Sequence, residues 1–289
     1  MTLAAVAGAL AATLGGPLVP AGRTGGGSIH GGHRFQARGG SVFVKVAAAA
    51  DAPMLAAEAE GLAALAAAGA IRVPSVLDRG LAGEHAYLAL EWLELRAPDA
   101  ESEAALGAAL AALHRHTAPR FGYPSDNFLG RTPQPNGWCE DPVEFLARRR
   151  LGPQLERAAQ NGYRLAEQGA RLLEALPAFY RGYRPVASLL HGDLWGGNHA
   201  SLADGTPVVY DPAVHYGDRE AELAMTRLFG GFRAEFQRAY EDFWPMDAGA
   251  RAREDLHALY HVLNHLNLFG AGYAPDALAR IERLLGQLR

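Results

Sequence analysis

Apolar positions follow two regimes along the chain. Over residues 1–93, short β-branched and aromatic runs alternate with Gly- and Pro-marked breaks, whereas over 94–289 they recur mostly at helical spacing. Residues 17–46 read as strand, Gly-rich turn, strand, with Val42, Phe43, Val44, Lys45 and Val46 forming the second strand. Val76-Leu77-Asp78 and Ala86 to Leu90 add two more. Between these, the Ala-rich stretch 52–68 places Leu55, Glu58, Leu62 and Leu65 at i, i+3, i+7 and i+10, which predicts a helix behind an Asp51 cap with Pro53 in its first turn. Glu58 then shares the leucine face and points inward, while Glu60 lies about 200° round the helix, at about 100° per residue. A carboxylate on an inward face needs a partner.

In the second regime, Leu106, Leu110 and Leu113 keep helical spacing, and helices are expected over 142–151, 163–180, 219–242, 248–268 and 275–288. The opening Ala-rich stretch predicts a helix ending at Gly15-Gly16, not a secretory signal, because its first cation is Arg23. An irregular aromatic loop at 121–141 carries Asn127, Asn136 and Trp138, residues suited to stacking on and hydrogen-bonding a polyol. The expected class is α+β.

Composition narrows the field. A net charge of −4 offers no footprint for nucleic acid, and no apolar run is long enough to span a bilayer. The single cysteine, Cys139, excludes an intrachain disulfide and fits a reducing compartment or indifference to redox, and a cytoplasmic protein is expected. Of 27 Lys plus Arg, 26 are Arg, so Lys45 is the only lysine. A lysine is a compact point charge on a thin stem, suited to reaching a phosphate oxygen in a confined space, and a buried strand is a poor place for an idle ammonium.

The stretch 188–220 concentrates the remaining chemistry. It begins on an apolar strand at Leu189-Leu190, passes through a polar loop with His191, Asp193 and Asn198, turns at Asp204-Gly205 and returns on Val208 to Tyr210, ending at Asp211. A hairpin closed by a two-residue D-G turn brings Asn198 and Asp211 together across thirteen positions of sequence. An amide and two carboxylates make an oxygen-rich cradle for a hard cation such as Mg2+, although Asp, Asn and Gly are also what ordinary turns are made of. Upstream, Gly26, Gly27 and Ser28 lie in a Gly-rich turn whose backbone N–H groups suit a phosphate, and no G-K-[ST] follows to make it a Walker loop. A Gly-rich hairpin, a strand lysine and a helix glutamate form the protein-kinase arrangement, with ATP as phosphate donor. The acidic segment Glu91, Trp92, Leu93 and Glu94 reads as a crossover between lobes whose backbone could meet an adenine edge.

With these residues in order, the whole chain resembles the protein-kinase-like fold and, within it, the fructosamine kinase (ketosamine 3-kinase) family. The likeness is carried by H-G-D-L-W-G-G-N at 191–198, D-P-A at 211–213, Y-G-D-R-E-A-E-L-A-M at 216–225, D-N-F-L-G at 126–130, N-G-W at 136–138, R-R-L-G-P-Q-L at 149–155 and L-N-H-L-N-L-F-G at 263–270. H-G-D with a downstream Asn is shared with aminoglycoside phosphotransferases and choline kinases; the L-W-G-G-N, D-P-A and Y-G-D-R-E segments together are much more specific. The resemblance implies two lobes: a small, mainly antiparallel β N-lobe with one key helix (1–93) and a larger, mainly helical C-lobe (94–289).

It also implies ATP- and Mg2+-dependent phosphorylation of a ketosamine sugar hydroxyl, expected to be O3, on a small-molecule or protein-bound acceptor, as a deglycating repair step. Asp193 would accept the hydroxyl proton, Asn198 and Asp211 would hold Mg2+, and Lys45, oriented by Glu58, would hold phosphates together with Gly26, Gly27 and Ser28. Glu91, Trp92 and Leu93 would border the nucleotide, and Trp138, Trp195 and His265 the acceptor. His191 is expected to support its loop. Several relatives carry a cysteine in the Gly-rich loop where this chain reads G-G-G-S-I, so redox control there is not expected. A monomer or weak dimer is expected. A sibling aminoglycoside- or choline-type kinase and a nucleotide-binding pseudokinase remain as alternatives.

Overall fold

The computed structural model describes residues 2–24 and 31–288. Gly26, Gly27 and Ser28 therefore lie outside the described residues. The first part of the chain runs α1 (Thr2–Leu14), β1 (Val19–Arg23), β2 (Gly31–Ala37), β3 (Gly40–Ala48), α2 (Ala52–Ala68), β4 (Val76–Ala82) and β5 (His85–Glu91). The strands form one antiparallel sheet in the order β1-β2-β3-β5-β4.

Strand alternation divides this sheet cleanly between two cores. Val42 and Val44 of β3, with Tyr87 and Ala89 of β5, pack with Val6 and Leu10 of α1. Ala47 of β3 and Ala86, Leu88 and Leu90 of β5 join Leu55, Leu62 and Leu65 of α2 in a core that continues into the helical part through Leu110, Leu113, Leu194 and Val209. Lys45 has the parity of this second face. Each fully buried leucine contributes about 1.5–3 kcal/mol, so α2 is fixed against the sheet with Glu58 turned to Lys45.

The helical part begins at α3 (Ala100–His114), whose start is closed by a reciprocal cap between Asp99 and Ser102. After the short strands β6 (Thr117–Ala118), β7 (Asn127–Leu129) and β8 (Thr132–Gln134) come α4 (Pro142–Phe145), α5 (Gly152–Gln160) and α6 (Ala166–Phe179). Strands β9 (Ala187–Leu190), β10 (His199–Ser201), β11 (Pro207–Val209) and β12 (His215–Gly217) follow, then α7 (Arg219–Leu228), α8 (Ala234–Phe243), α9 (Ala250–Phe269) and α10 (Ala274–Gly286). Leu172, Leu256, Leu259, Leu263, Ile281 and Leu284 anchor a second large core there.

Four details differ from the sequence reading. The N-terminal hairpin has a third strand, because Arg38-Gly39 turns the chain between β2 and β3; Lys45 is thus two strands beyond the Gly-rich segment. Leu189 and Leu190 do not pair with Val208 and Val209. They lie in β9, between β12 and β6, while β11 pairs with β10 through a five-residue connection holding Asp204-Gly205. The expected helix 219–242 is broken at Gly230 (φ 71°) and Gly231 (φ 96°), a left-handed geometry that glycine tolerates and L side chains resist. The helix expected over 142–151 runs on to Gln160 through a wider turn at 146–151, where Pro153 has no N–H to give the Arg149 carbonyl.

Candidate functional site

Lys45 is 7% exposed, and its Nζ lies 2.7 Å from Glu58 Oε1 and 2.5 Å from Asp211 Oδ1. Burial opposes its charge, but Asp211 and Glu58 outweigh that and hold the ammonium above its ordinary range. Burial pushes the Glu58 carboxyl up to about 7, against the pull of Lys45. The trio joins strand β3, helix α2 and the segment after β11.

The loop 191–198 is built by its own hydrogen bonds. His191 accepts at Nδ1 from the Asp193 N–H (3.3 Å), and its Nε2 meets the Tyr210 carbonyl at 3.0 Å, which assigns the proton to Nε2. Burial lowers the His191 pKa, so the ring is a neutral strut and not a base. The Asn198 amide donates to the Asp193 carbonyl (2.9 Å) and carboxylate (3.3 Å), leaving its Oδ1 free of those bonds. The Tyr210 N–H donates to the Asn198 carbonyl (3.1 Å), so the β10–β11 hairpin sets Asn198 beside the chain that delivers Asp211. Asp211 has φ 59°, the one positive φ outside glycine among the described residues, a strained placement of the kind that gathers at functional positions. Burial, then Asp211 and Glu222, push the Asp193 carboxyl well above its ordinary range, which suits a proton acceptor.

A cleft of about 310 Å³ is lined by Lys45, Asp211, Glu91, Trp92 and Leu93, with Phe43, Leu90, Tyr210 and Gly197 completing its surface. The Glu91 carboxylate is taken up by Arg72 (2.5 Å) and the Ser75 N–H (3.1 Å), so its side chain is a brace. Trp92 lies under Arg34 and donates to Glu94 (2.7 Å).

The acceptor-side residues are more scattered. Trp195 lies across Gly197, where a Cβ would come within 2.2 Å of the indole, and its ring is 39% exposed two residues from Asp193. His265 sits in an aromatic group with Phe229, Phe269 and Tyr273, at centroid separations of 4.5, 5.2 and 5.3 Å. Trp138 is not brought to the cleft: it packs on Tyr216 at 6.1 Å, beneath Arg120. Asn127 and Asn136 are buried and bonded to each other (2.9 Å), to Gln134 and to Arg150, so they close a loop and do not face a sugar. The Cys139 thiol is raised by burial and unactivated.

Glu222 is the residue that sequence reasoning missed. It is 2% exposed on α7 and accepts the N–H groups of His191 (2.6 Å) and Gly192 (2.8 Å), fixing the turn into Asp193. Burial opposes its charge, but His114 and the backbone donors hold its carboxyl below the ordinary range. The usable signal was the one that found Glu58, a carboxylate on the inward face of an amphipathic helix.

The fructosamine kinase family model matches residues 4–287. The chain is 43% identical over 244 residues to a probable ketoamine kinase of Synechocystis, covering 84% of this chain and 82% of that one. It is 38% identical over 270 residues to a chloroplastic protein-ribulosamine 3-kinase of Oryza sativa subsp. indica, covering 92% and 78%. Among solved structures, a putative fructosamine-3-kinase from Haemophilus somnus superposes with a TM-score of 0.89 at 26% identity, covering 98% of each chain.

Proposed function

Because the chain belongs to the fructosamine kinase family, we propose that it transfers the γ-phosphoryl group of ATP to a sugar hydroxyl of ketosamines, at O3, as a deglycating kinase. The observation that carries this reading is the convergence of Glu58 and Asp211 on Lys45, which with Asp211 lines the cleft, while Asp193 and Asn198 are bonded to each other in the 191–198 loop.

In this reading Lys45 holds phosphate oxygens, steadied by Glu58. The nucleotide base enters between Phe43, Leu90 and the 91–93 segment. Asp193 receives the proton of the acceptor hydroxyl as its oxygen bonds to the γ-phosphorus and the bond to the β–γ bridging oxygen breaks, releasing ADP. Asn198 Oδ1 and the Asp211 carboxylate are hard oxygen donors on adjacent backbone, a set that fits Mg2+. When bound, that ion supplies charge neutralisation on the phosphates. Trp195 offers the acceptor sugar an apolar face beside Asp193, and His265 and its aromatic neighbours border that side. Among the described residues no helix is long and apolar enough to cross a membrane, and we place the enzyme in the cytoplasm as a monomer or weak dimer.

The test is ATP turnover with and without Mg2+ on fructose-lysine and ribulose-lysine, with the phosphate position read by NMR. Asp193→Asn should lower turnover by at least about 10²-fold while ATP still binds. Turnover of an aminoglycoside or choline, with none on any ketosamine, would overturn the substrate assignment; ATP binding without turnover of any of them would favour a pseudokinase.

A further inference from the structure

The helix running from α4 into α5 carries four arginines past the β7–β8 hairpin. Arg148 is engaged by Glu144 at 3.2 Å. Among the described residues, no hydrogen bond or ion pair holds the side chains of Arg149 and Arg157. Arg150 is only 4% exposed, and every acceptor it meets is neutral: the carbonyls of Pro135 (2.7 Å) and Arg149 (2.9 Å) and Asn136 Oδ1 (2.7 Å). Its Nε–H has no acceptor at all. A buried cation without a counter-charge is costly, and here burial pushes the guanidinium down to about 10.

Arg149, Arg150 and Arg157 line one cleft with Thr132, Pro133 and Pro135, and no Asp or Glu is in its lining. The cleft is narrow, about 20 Å³ against about 310 Å³ for the nucleotide cleft, and partly open to solvent. The Thr132 hydroxyl in its wall is buried and unpartnered. Gly137 leaves room for Arg149, since a Cβ there would come within 3.0 Å of Nη2.

We propose that this cleft is a binding site for a phosphate-type oxyanion, separate from the nucleotide cleft. Guanidinium forks match pairs of phosphate oxygens. A tetrahedral dianion can engage the Arg149 and Arg157 forks, the Arg150 Nε–H and a hydroxyl together, whereas a carboxylate has too few oxygens for all four. The Arg150 Nε–H and the Thr132 hydroxyl then gain partners without moving into solvent. The proposal does not rest on the kinase reading, because no residue of this cleft belongs to the proposed catalytic set.

The test is titration of the full chain with inorganic phosphate by calorimetry, against chloride at equal ionic strength, repeated with ADP present to occupy the nucleotide cleft. Saturable binding is expected in both titrations, weakened at least about tenfold in Arg149→Gln/Arg157→Gln through the loss of charged hydrogen bonds. The single variant Arg157→Gln, at an exposed position, should weaken it in the same direction if the double variant is unstable. Absence of saturable phosphate binding, binding undiminished in the arginine variants, or binding abolished by ADP would each overturn the proposal.

Discussion

At the scale of single residues, carboxylates in the helical part differ by what neighbours them. Asp193 is desolvated among other acids and rises; Glu222, more deeply buried, is held down by His114 and two backbone N–H groups. Only the second is a permanent anion, and its work is to hold a turn. Glu222→Gln keeps the volume but presents an NH₂ where a backbone donor already points. We expect a loss of about 1.5–3 kcal/mol in unfolding free energy, together with at least about tenfold lower turnover because the proton acceptor is displaced. Urea denaturation and initial rates check both; unchanged turnover in a folded variant would show that the 191–193 backbone keeps its place without the carboxylate. Lys45 and Glu58 were legible because pattern and chemistry coincided: an inward glutamate on a leucine face, and one lysine in a strand. The partners of Glu222 were not, because His191 lies thirty-one positions away and nothing local encodes that meeting.

At the scale of elements, the catalytic loop is seated by glycines in two places. Gly231 lets the α7–α8 joint touch the loop, since a Cβ there would come within 2.8 Å of the Gly196 Cα. Gly197 makes room for the indole of Trp195. Gly197→Ala should therefore displace Trp195 and raise KM for the ketosamine more than it lowers kcat, a split readable from initial-rate kinetics; an effect on kcat alone would remove Trp195 from acceptor binding. The hairpin that supplies Asn198 and Asp211 was predicted correctly in its consequence and wrongly in its pairing. Alternation identified Leu189-Leu190 and Val208-Val209 as strands, but periodicity does not name partners, and β9 pairs with β12 and β6 instead. Likewise, helical spacing on both sides of Gly230-Gly231 concealed the break between α7 and α8.

At the scale of the molecule, histidines buried without charge set its acid response. His261 is lowered by burial from 6.5 to about 3, and His215 falls well below its ordinary value for the same cause. The unfolded chain binds these protons first, so the contribution of each to stability is whole above pH 6.5 and is lost as pH falls from there towards the folded value. Glu58 and Asp193, raised on folding, act in the opposite sense, so a variant pair isolates the effect. The stability difference between wild type and His261→Gln should shift by ~1.4 kcal/mol per pH unit below 6.5 in disfavour of the wild type; a difference independent of pH would exclude His261 as the titrating group. The other whole-molecule consequence comes from the ion trio around buried Lys45. Sugar aldehydes condense only with amines that are accessible and unprotonated, and the one ε-amine of this chain is neither. An enzyme that repairs glycated amines thereby carries almost nothing that could be glycated in turn. Prolonged incubation with ribose, followed by peptide mass spectrometry, should find no adduct at Lys45 while the fold is intact and adducts there once it is unfolded; modification of the folded chain at Lys45 would show that the ion trio does not shield the amine.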